Sequence, residues 1–326
     1  MISKDRIFNI TTEAEFEALA LDIFSFQFEN NKTYRSFCDL LYKYPSDVKS
    51  YKDIPFLPIQ FFKNRDVLSN QNTIQKTFTS SGTTGTIPSK HLVTDISIYE
   101  ESYLNGFKQF YGNIEDYAVL ALLPSYLERE GSSLIYMVDD LITKSNHPES
   151  GFYLNNLEDL ANTLERLESE QQKTILIGVS FALLDLVDAY NFDLNHCIVM
   201  ETGGMKGRRK EIIRQELHQI LKSGFGVQHI HSEYGMTELL SQAYSFGNGR
   251  FECPPWMKVL TRDTEDALTI QNSNKTGGIN IVDLANINSC SFIATQDLGK
   301  VYANGSFEII GRFDNSDIRG CNLMAL

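Results

Sequence analysis

Leu157-Glu-Asp-Leu-Ala-Asn-Thr-Leu-Glu-Arg-Leu-Glu-Ser-Glu-Gln-Gln-Lys-Thr-Ile-Leu-Ile-Gly-Val179 is the stretch on which the fold turns. Its first half sets Leu157, Leu160, Leu164 and Leu167 at helical spacing, and its second half, Thr174 to Val179, is a continuous apolar run of strand length. A helix followed at once by a strand apolar on both sides is expected of an α/β core with a largely parallel sheet. The alternation recurs outward. Tyr117 to Leu123, Cys197 to Met200 and Val227 to Ile230 read as buried strands, and Ile212, Ile213, Leu217, Ile220 and Leu221 follow helical spacing. The core is expected over residues of about 70–245.

The flanks differ from that core. Within the first sixty or so residues, Thr12-Glu-Ala-Glu15 is a capping-box pattern ahead of Phe16, Leu19, Ala20, Ile23 and Phe24. A second short helix is expected to carry Phe37, Leu40 and Leu41, before Pro45, Pro55 and Pro58 break regular structure. This segment is expected to cover part of the core or a pocket mouth. Over about 250–326 a β-rich lobe is expected, with Leu268 to Ile270, Ile279 to Val282 and Phe307 to Ile310 as short strands and Gly277-Gly278 and Asn304-Gly305 as turn signals. The whole of 1–326 reads as one unit.

With 326 residues and 42% hydrophobic content the chain can bury a sizeable core. A net charge of −13 argues against a nucleic-acid polymer or an anionic membrane as partner, but not against a nucleotide, which local donors and a metal ion can hold. The five cysteines (Cys38, Cys197, Cys253, Cys290, Cys321) form no Cys-x-x-Cys pair, so neither a disulfide framework nor a zinc site is indicated and a reducing cytoplasm is expected. No apolar run approaches the length of a membrane span, and the start lacks a signal-peptide pattern.

Four short runs carry the chemistry. Phe78-Thr79-Ser80-Ser81-Gly82-Thr83-Thr84-Gly85, with Lys90 close behind, concentrates hydroxyls and glycines after a predicted strand, where backbone N–H and side-chain O–H groups can converge on phosphate oxygens. It lacks the Walker ending, and taken alone it is read equally as an ordinary turn. Glu201-Thr-Gly203-Gly204-Met205-Lys-Gly-Arg-Arg209 follows a strand, and its paired glycines would let a flat ligand lie against the backbone. Taken singly, it is better read as a tight turn. In His231-Ser-Glu-Tyr234-Gly235-Met-Thr237-Glu238, a tyrosine can stack on a purine, a threonine can reach a phosphate and a carboxylate can hold Mg²⁺. His231 itself reads as a core histidine. Last, Asp297 is suited to accept the ribose hydroxyls, and Arg312, after Gly311, can donate to ribose or phosphate.

The order of these runs resembles that of the adenylate-forming superfamily of acyl-CoA synthetases, adenylation domains and luciferases. Within it, Asp53-Ile-Pro-Phe-Leu-Pro-Ile-Gln-Phe-Phe-Lys63, Leu122-Leu-Pro-Ser-Tyr-Leu-Glu-Arg129, Met200-Glu-Thr-Gly-Gly-Met-Lys-Gly-Arg208 and Arg319-Gly-Cys321 look like the acyl-protein synthetases (LuxE) of bacterial bioluminescence, across nearly the whole chain. The resemblance implies ATP and Mg²⁺ as cofactors, with phosphates at Thr79 to Gly85 and adenine framed by Gly203, Gly204, Met205 and Tyr234. It also implies ribose at Asp297, with Arg312 nearby, and Mg²⁺ at Glu238. Most superfamily members continue past the Gly-Arg motif into a lid domain with a catalytic lysine. Here five residues follow Cys321, so the lid is expected to be absent, and adenylation is expected to proceed without that lysine, with a substitute such as Lys90 or Lys206, or with help from a partner. By the same resemblance Cys321 accepts the acyl group as a thioester and passes it to a partner such as a fatty acid reductase.

The resulting expectation is an acid–thiol ligase that activates a fatty acid or another carboxylic acid as its adenylate. Two other readings stand beside it: a ligase of the phenylacetate–CoA type that delivers the acyl group to coenzyme A or a carrier protein, and a nucleotide-binding subunit without catalysis. Leu122, Leu123, Tyr126, Met137 and Met236 are candidate liners of an acyl pocket.

Overall fold

The computed structural model describes residues 2–80, 87–124, 131–203 and 212–313. The chain opens with α1 (Lys4–Phe8), α2 (Glu13–Asn30) and α3 (Lys32–Leu40). The capping box forms as expected: Glu15 N donates to Thr12 Oγ1, and Thr12 N donates to the Glu15 carboxylate. On α3 the buried face differs from expectation. Asn31 caps the helix through Tyr34 N, and that phase turns Tyr34 and Cys38 inward while Leu40 stands 78% exposed.

The connecting stretch contains β1 (Leu57–Pro58), α4 (Phe61–Asn64) and a hairpin of β2 (Lys76–Thr79) and β3 (Lys90–Val93). The central sheet then builds from β4 (Ala118–Leu122), β5 (Gly151–Phe152), β6 (Thr174–Gly178), β7 (Cys197–Thr202), β8 (His231–Tyr234) and β9 (Ala243–Ser245). Its order is β5-β4-β6-β7-β8-β9, parallel throughout except for β9. Helices α5 (Ile96–Tyr111), α6 (Ser133–Ser145), α7 (Leu157–Ser169), α8 (Ser180–Ala189) and α9 (Arg214–Phe225) accompany it. Strands β4 and β6 are buried at every position, as their unbroken apolar runs require.

Two boundaries move. The expected strand at Val227 to Ile230 lies instead at His231–Tyr234, where the backbone pairs with Met200–Thr202. Apolarity marked burial there, not pairing: Ile230 is fully buried, while the polar strand residues occupy the sheet's open end. Likewise Ile212 and Ile213 precede α9, and Ile213 is exposed.

The second sheet comprises β10 (Met257–Arg262), β11 (Thr276–Asp283), β12 (Phe292–Val301) and β13 (Phe307–Arg312) in the order β1-β12-β11-β10, with β13 on β12. Asn304-Gly305 does form the β12–β13 turn, with Gly305 at φ +84. Gly277-Gly278 does not turn. Both lie within β11, and the Arg262 guanidinium takes the room a side chain would need: a Cβ on Gly278 would sit 2.6 Å from Arg262 Cζ. That buried arginine donates to Ile279 O, Asn280 Oδ1 and Thr295 O at 2.6–2.7 Å. Leu268, read as the start of a strand, is an exposed turn residue.

Helix α2 covers the connection between β11 and β12. Gln27 Nε2 donates to Asn286 O (3.1 Å) and Ile287 O (2.9 Å), and Asn31 Nδ2 donates to Ser289 O (3.0 Å). The N-terminal helices therefore fix the turn that carries Asn286, a residue that reaches the functional site.

Candidate active site

The C-terminal ends of β7 and β8 face the second sheet, and the sequence motifs meet there. In an open parallel sheet ligands bind outside the carboxyl ends of the strands. Tyr234 ends β8, and its hydroxyl donates to Asp297 Oδ2 at 2.8 Å. Asp297 on β12 pairs across the ladder with Arg312 on β13, whose Nε lies 3.3 Å from Asp297 Oδ1. Asp297 is 14% exposed and Arg312 71% exposed, so a fixed carboxylate stands beside a cation open to solvent. Burial raises the Asp297 pKa above the usual carboxylate value in spite of Tyr234 and Arg312. The Tyr234 ring is held by Phe251 and Phe307, with centroids at 5.7 and 5.4 Å.

Glu238 lies four residues on, with its side chain buried. Burial raises its pKa, while a hydrogen bond from Ser89 and the charges of Lys63 and Arg312 act the other way. Its backbone is held rigidly. Asn286 Nδ2 donates to Glu238 O (2.7 Å), His91 Nδ1 lies 2.8 Å from Thr237 O, and His91 Nε2 lies 3.0 Å from Asn286 Oδ1. Burial of the His91 ring lowers its pKa to about 4. Just beyond, Asp283 accepts from Leu240 N, Ser241 N, Ser241 Oγ and Ala285 N, and burial raises it to about 6.

The hairpin supplies the remaining pieces. Lys90 is exposed and pairs with Thr79 across β2–β3, and Ser80 exchanges hydrogen bonds with Ser89 beside Glu238. Ser81, Gly82, Thr83, Thr84 and Gly85 lie outside the described residues, as do Gly204, Met205, Lys206, Tyr126 and Cys321. Gly203, at φ +68, ends β7, and its carbonyl accepts from Ser180 Oγ at 2.7 Å. Tyr234, Asp297 and Arg312 thus join through a hydrogen bond and an ion pair, and Thr237 and Glu238, on the segment that follows Tyr234, are tied to one another through His91 and Asn286.

Sequence reasoning missed the supports: His91, Asn286, Asp283, Ser89 and Lys63. Only Lys63 had a signal, as the cation closing the Asp53-to-Lys63 motif. Of the cysteines read as structural, Cys38 and Cys290 are buried and Cys197 and Cys253 half-buried, and burial raises each thiol to about 12 or beyond. His231 behaves as the core residue expected, with its Nδ1 3.2 Å from Tyr111 Oη and its pKa lowered by burial to about 4. Leu122, Leu123 and Met137 are buried, with Met137 in the wall of a small apolar cavity.

For Mg²⁺, the donor set has to suit the ion. Among the described residues no group of three His, Cys, Asp or Glu side chains converges on one point. A single buried carboxylate, Glu238, fits Mg²⁺ held jointly with substrate phosphates, since this ion takes few protein ligands and completes its shell with phosphate and water.

The fold is that of the adenylate-forming enzymes. An open conformation of 2-hydroxyisobutyryl-CoA ligase, solved with 2-HIB-AMP and CoA, superposes with a TM-score of 0.69 at 12% identity, covering 93% of this chain and 70% of that one. ATP-bound MatB from Rhodopseudomonas palustris superposes at 0.54 with 16% identity, over 72% of this chain and 47% of that one. The chain spans about half the length of MatB. Within this class, residues 7–109 match the family model described as acyl-protein synthetase, LuxE. The long-chain-fatty-acid–luciferin-component ligase of Vibrio harveyi is 22% identical, across 92% of this chain and 84% of that protein. The chain is thus similar to the acyl-protein synthetases over residues 7–109, and the curated proteins it resembles are named as ligases.

Proposed function

We infer that the protein activates a carboxylic acid of the fatty-acid type with ATP and transfers the acyl group to a thiol, that of Cys321. The observation that supports this reading is the series Tyr234–Asp297–Arg312 beside buried Glu238, at the carboxyl ends of the parallel strands. Tyr234 offers a ring face to adenine, Asp297 accepts from the ribose hydroxyls, and Arg312 donates to ribose or phosphate. Thr79 to Gly85 would bind the phosphates, and Lys90 would add a positive charge. Glu238 would hold Mg²⁺, which supplies charge neutralisation at the phosphates.

In the first step a carboxylate oxygen bonds to the α-phosphorus, and the bond from that phosphorus to the bridging oxygen breaks, releasing pyrophosphate. Positioning and charge neutralisation provide the acceleration. In the second, the Cys321 thiolate attacks the acyl carbon, the carbonyl-to-phosphate bond breaks and AMP leaves. The four cysteines of the described residues are poor candidates, because burial keeps their thiols protonated. A protein acceptor such as a fatty acid reductase would take the acyl group from Cys321. Delivery to coenzyme A is the second reading, favoured by the likeness to a ligase solved with CoA.

Incubation with ATP, Mg²⁺ and radiolabelled fatty acid, comparing wild type with Cys321→Ser, tests the reading. Hydroxylamine-sensitive label on wild type only, with pyrophosphate release in both, is the expected result. Equal label on both proteins rejects Cys321 as acceptor.

A further inference from the structure

Asp297 stands at an irregular point of the second sheet. The register pairs Gly278 of β11 with Leu298 and Asn280 with Ala294, so Ile279 alone faces Thr295, Gln296 and Asp297 of β12. A bulge of this kind takes backbone groups out of the ladder and re-aims the side chains it carries.

The groups it sets free find other partners. Ile279 O accepts from Arg262 Nη1 (2.7 Å) and from Thr295 Oγ1 (2.9 Å), and Thr295 O accepts from Arg262 Nη2 (2.6 Å). Asp297 N donates to Thr295 Oγ1 (3.1 Å), and Gln296 O accepts from Phe313 N (2.7 Å). Arg262 Nη1 also donates to Asn280 Oδ1 at 2.7 Å, and the bare α-carbon of Gly278 leaves the room in which the guanidinium lies. Arg262 is 9% exposed. Burying a cation is costly, yet its hydrogen bonds here go to neutral oxygens, among them the Ile279 and Thr295 carbonyls of the bulge.

Those contacts flank the Asp297–Arg312 pair on both strands. Thr295 lies two residues before Asp297, and the Phe313 ring, next to Arg312, has its centroid 5.5 Å from Arg262 Cζ. The charge of Arg262 also opposes the rise that burial imposes on the Asp297 pKa. A slip of one residue would turn Asp297 to the other face of the sheet, away from Tyr234. We propose that Arg262 is a positioning residue: with Thr295 it locks the bulge that holds Asp297 toward the ribose, and so sets the site's preference for ribonucleoside over deoxyribonucleoside triphosphates.

This inference rests on the reading of Asp297 as the acceptor for ribose, and one titration separates the two. Calorimetry on the full chain with Mg²⁺ measures the dissociation constants of ATP and of 2′,3′-dideoxy-ATP, and their ratio is compared among variants. Wild type should bind ATP about tenfold to hundredfold more tightly, through charge-assisted hydrogen bonds to its hydroxyls. Arg262→Lys keeps the charge, but one ammonium cannot span Ile279 O, Asn280 Oδ1 and Thr295 O, and the ratio should fall toward one. Thr295→Val removes the hydroxyl that accepts from Asp297 N and should do the same; it carries the test should Arg262→Lys fail to fold. Loss of folded protein lowers the amount of either nucleotide bound and leaves the ratio untouched, so a merely structural role would not move it. An unchanged ratio in either variant overturns the positioning role and leaves the ribose reading standing. A ratio near one in wild type overturns both.

Discussion

The two sides of the segment from Glu233 to Gln242 use their polar atoms in opposite ways. Toward the second sheet, Thr237 O, Glu238 O, Leu240 N and Ser241 N each meet a buried side chain of His91, Asn286 or Asp283. Toward the central sheet, Glu233 is held by one hydrogen bond and Gln242 Oε1 has none among the described residues. The difference is one of how firmly each side is held. Atoms that are already paired fix the placement of Glu238 and Tyr234 before any ligand arrives.

The comparison breaks most severely at Asp283. Its carboxyl takes four hydrogen bonds from one short stretch, and Asp283→Ala leaves several buried N–H groups without an acceptor. The expected loss is about 3–5 kcal/mol of unfolding free energy, read from the denaturant midpoint. A loss within a few tenths of a kcal/mol would mean that this side is not held as described.

A smaller effect on the less firmly held side sharpens the contrast. Because burial lifts Glu233 from 4.5 to about 7, the folded protein keeps a proton that the unfolded chain has released over that interval. The stability this provides is complete below about pH 4.5 and is lost as pH rises through about 7. Glu233→Gln removes that dependence, so relative to wild type the variant should gain on the order of 1–3 kcal/mol between about pH 5 and pH 8. Parallel stability curves for the two proteins would contradict a buried, proton-holding Glu233.

Much of the architecture was legible because strands β4 and β6 are buried at every position, and burial on both faces leaves a mainly apolar run in each. Strand β8 was misplaced because His231, Ser232, Glu233 and Tyr234 are polar, and their partners come from elements far away in sequence. The same cause hid the glycines of β11, since nothing local announces that Arg262 occupies their empty side. Tyr234, Asp297 and Arg312, which motif order singles out, do meet in the structure, with Glu238 on the same segment as Tyr234. Their supports could not be singled out in that way: His91 and Asn286 are ordinary residues in sequence and gain meaning only when 195 positions fold to one hydrogen bond.

Whether a carboxylate is activated at the Tyr234–Asp297–Arg312 edge is answered most directly by exchange of labelled pyrophosphate into ATP, on the full chain with Mg²⁺, with and without carboxylic acid. Exchange that appears only with an acid, and falls about tenfold or more in Asp297→Ala, is the predicted result. Binding of ATP with no exchange for any acid offered would contradict the account.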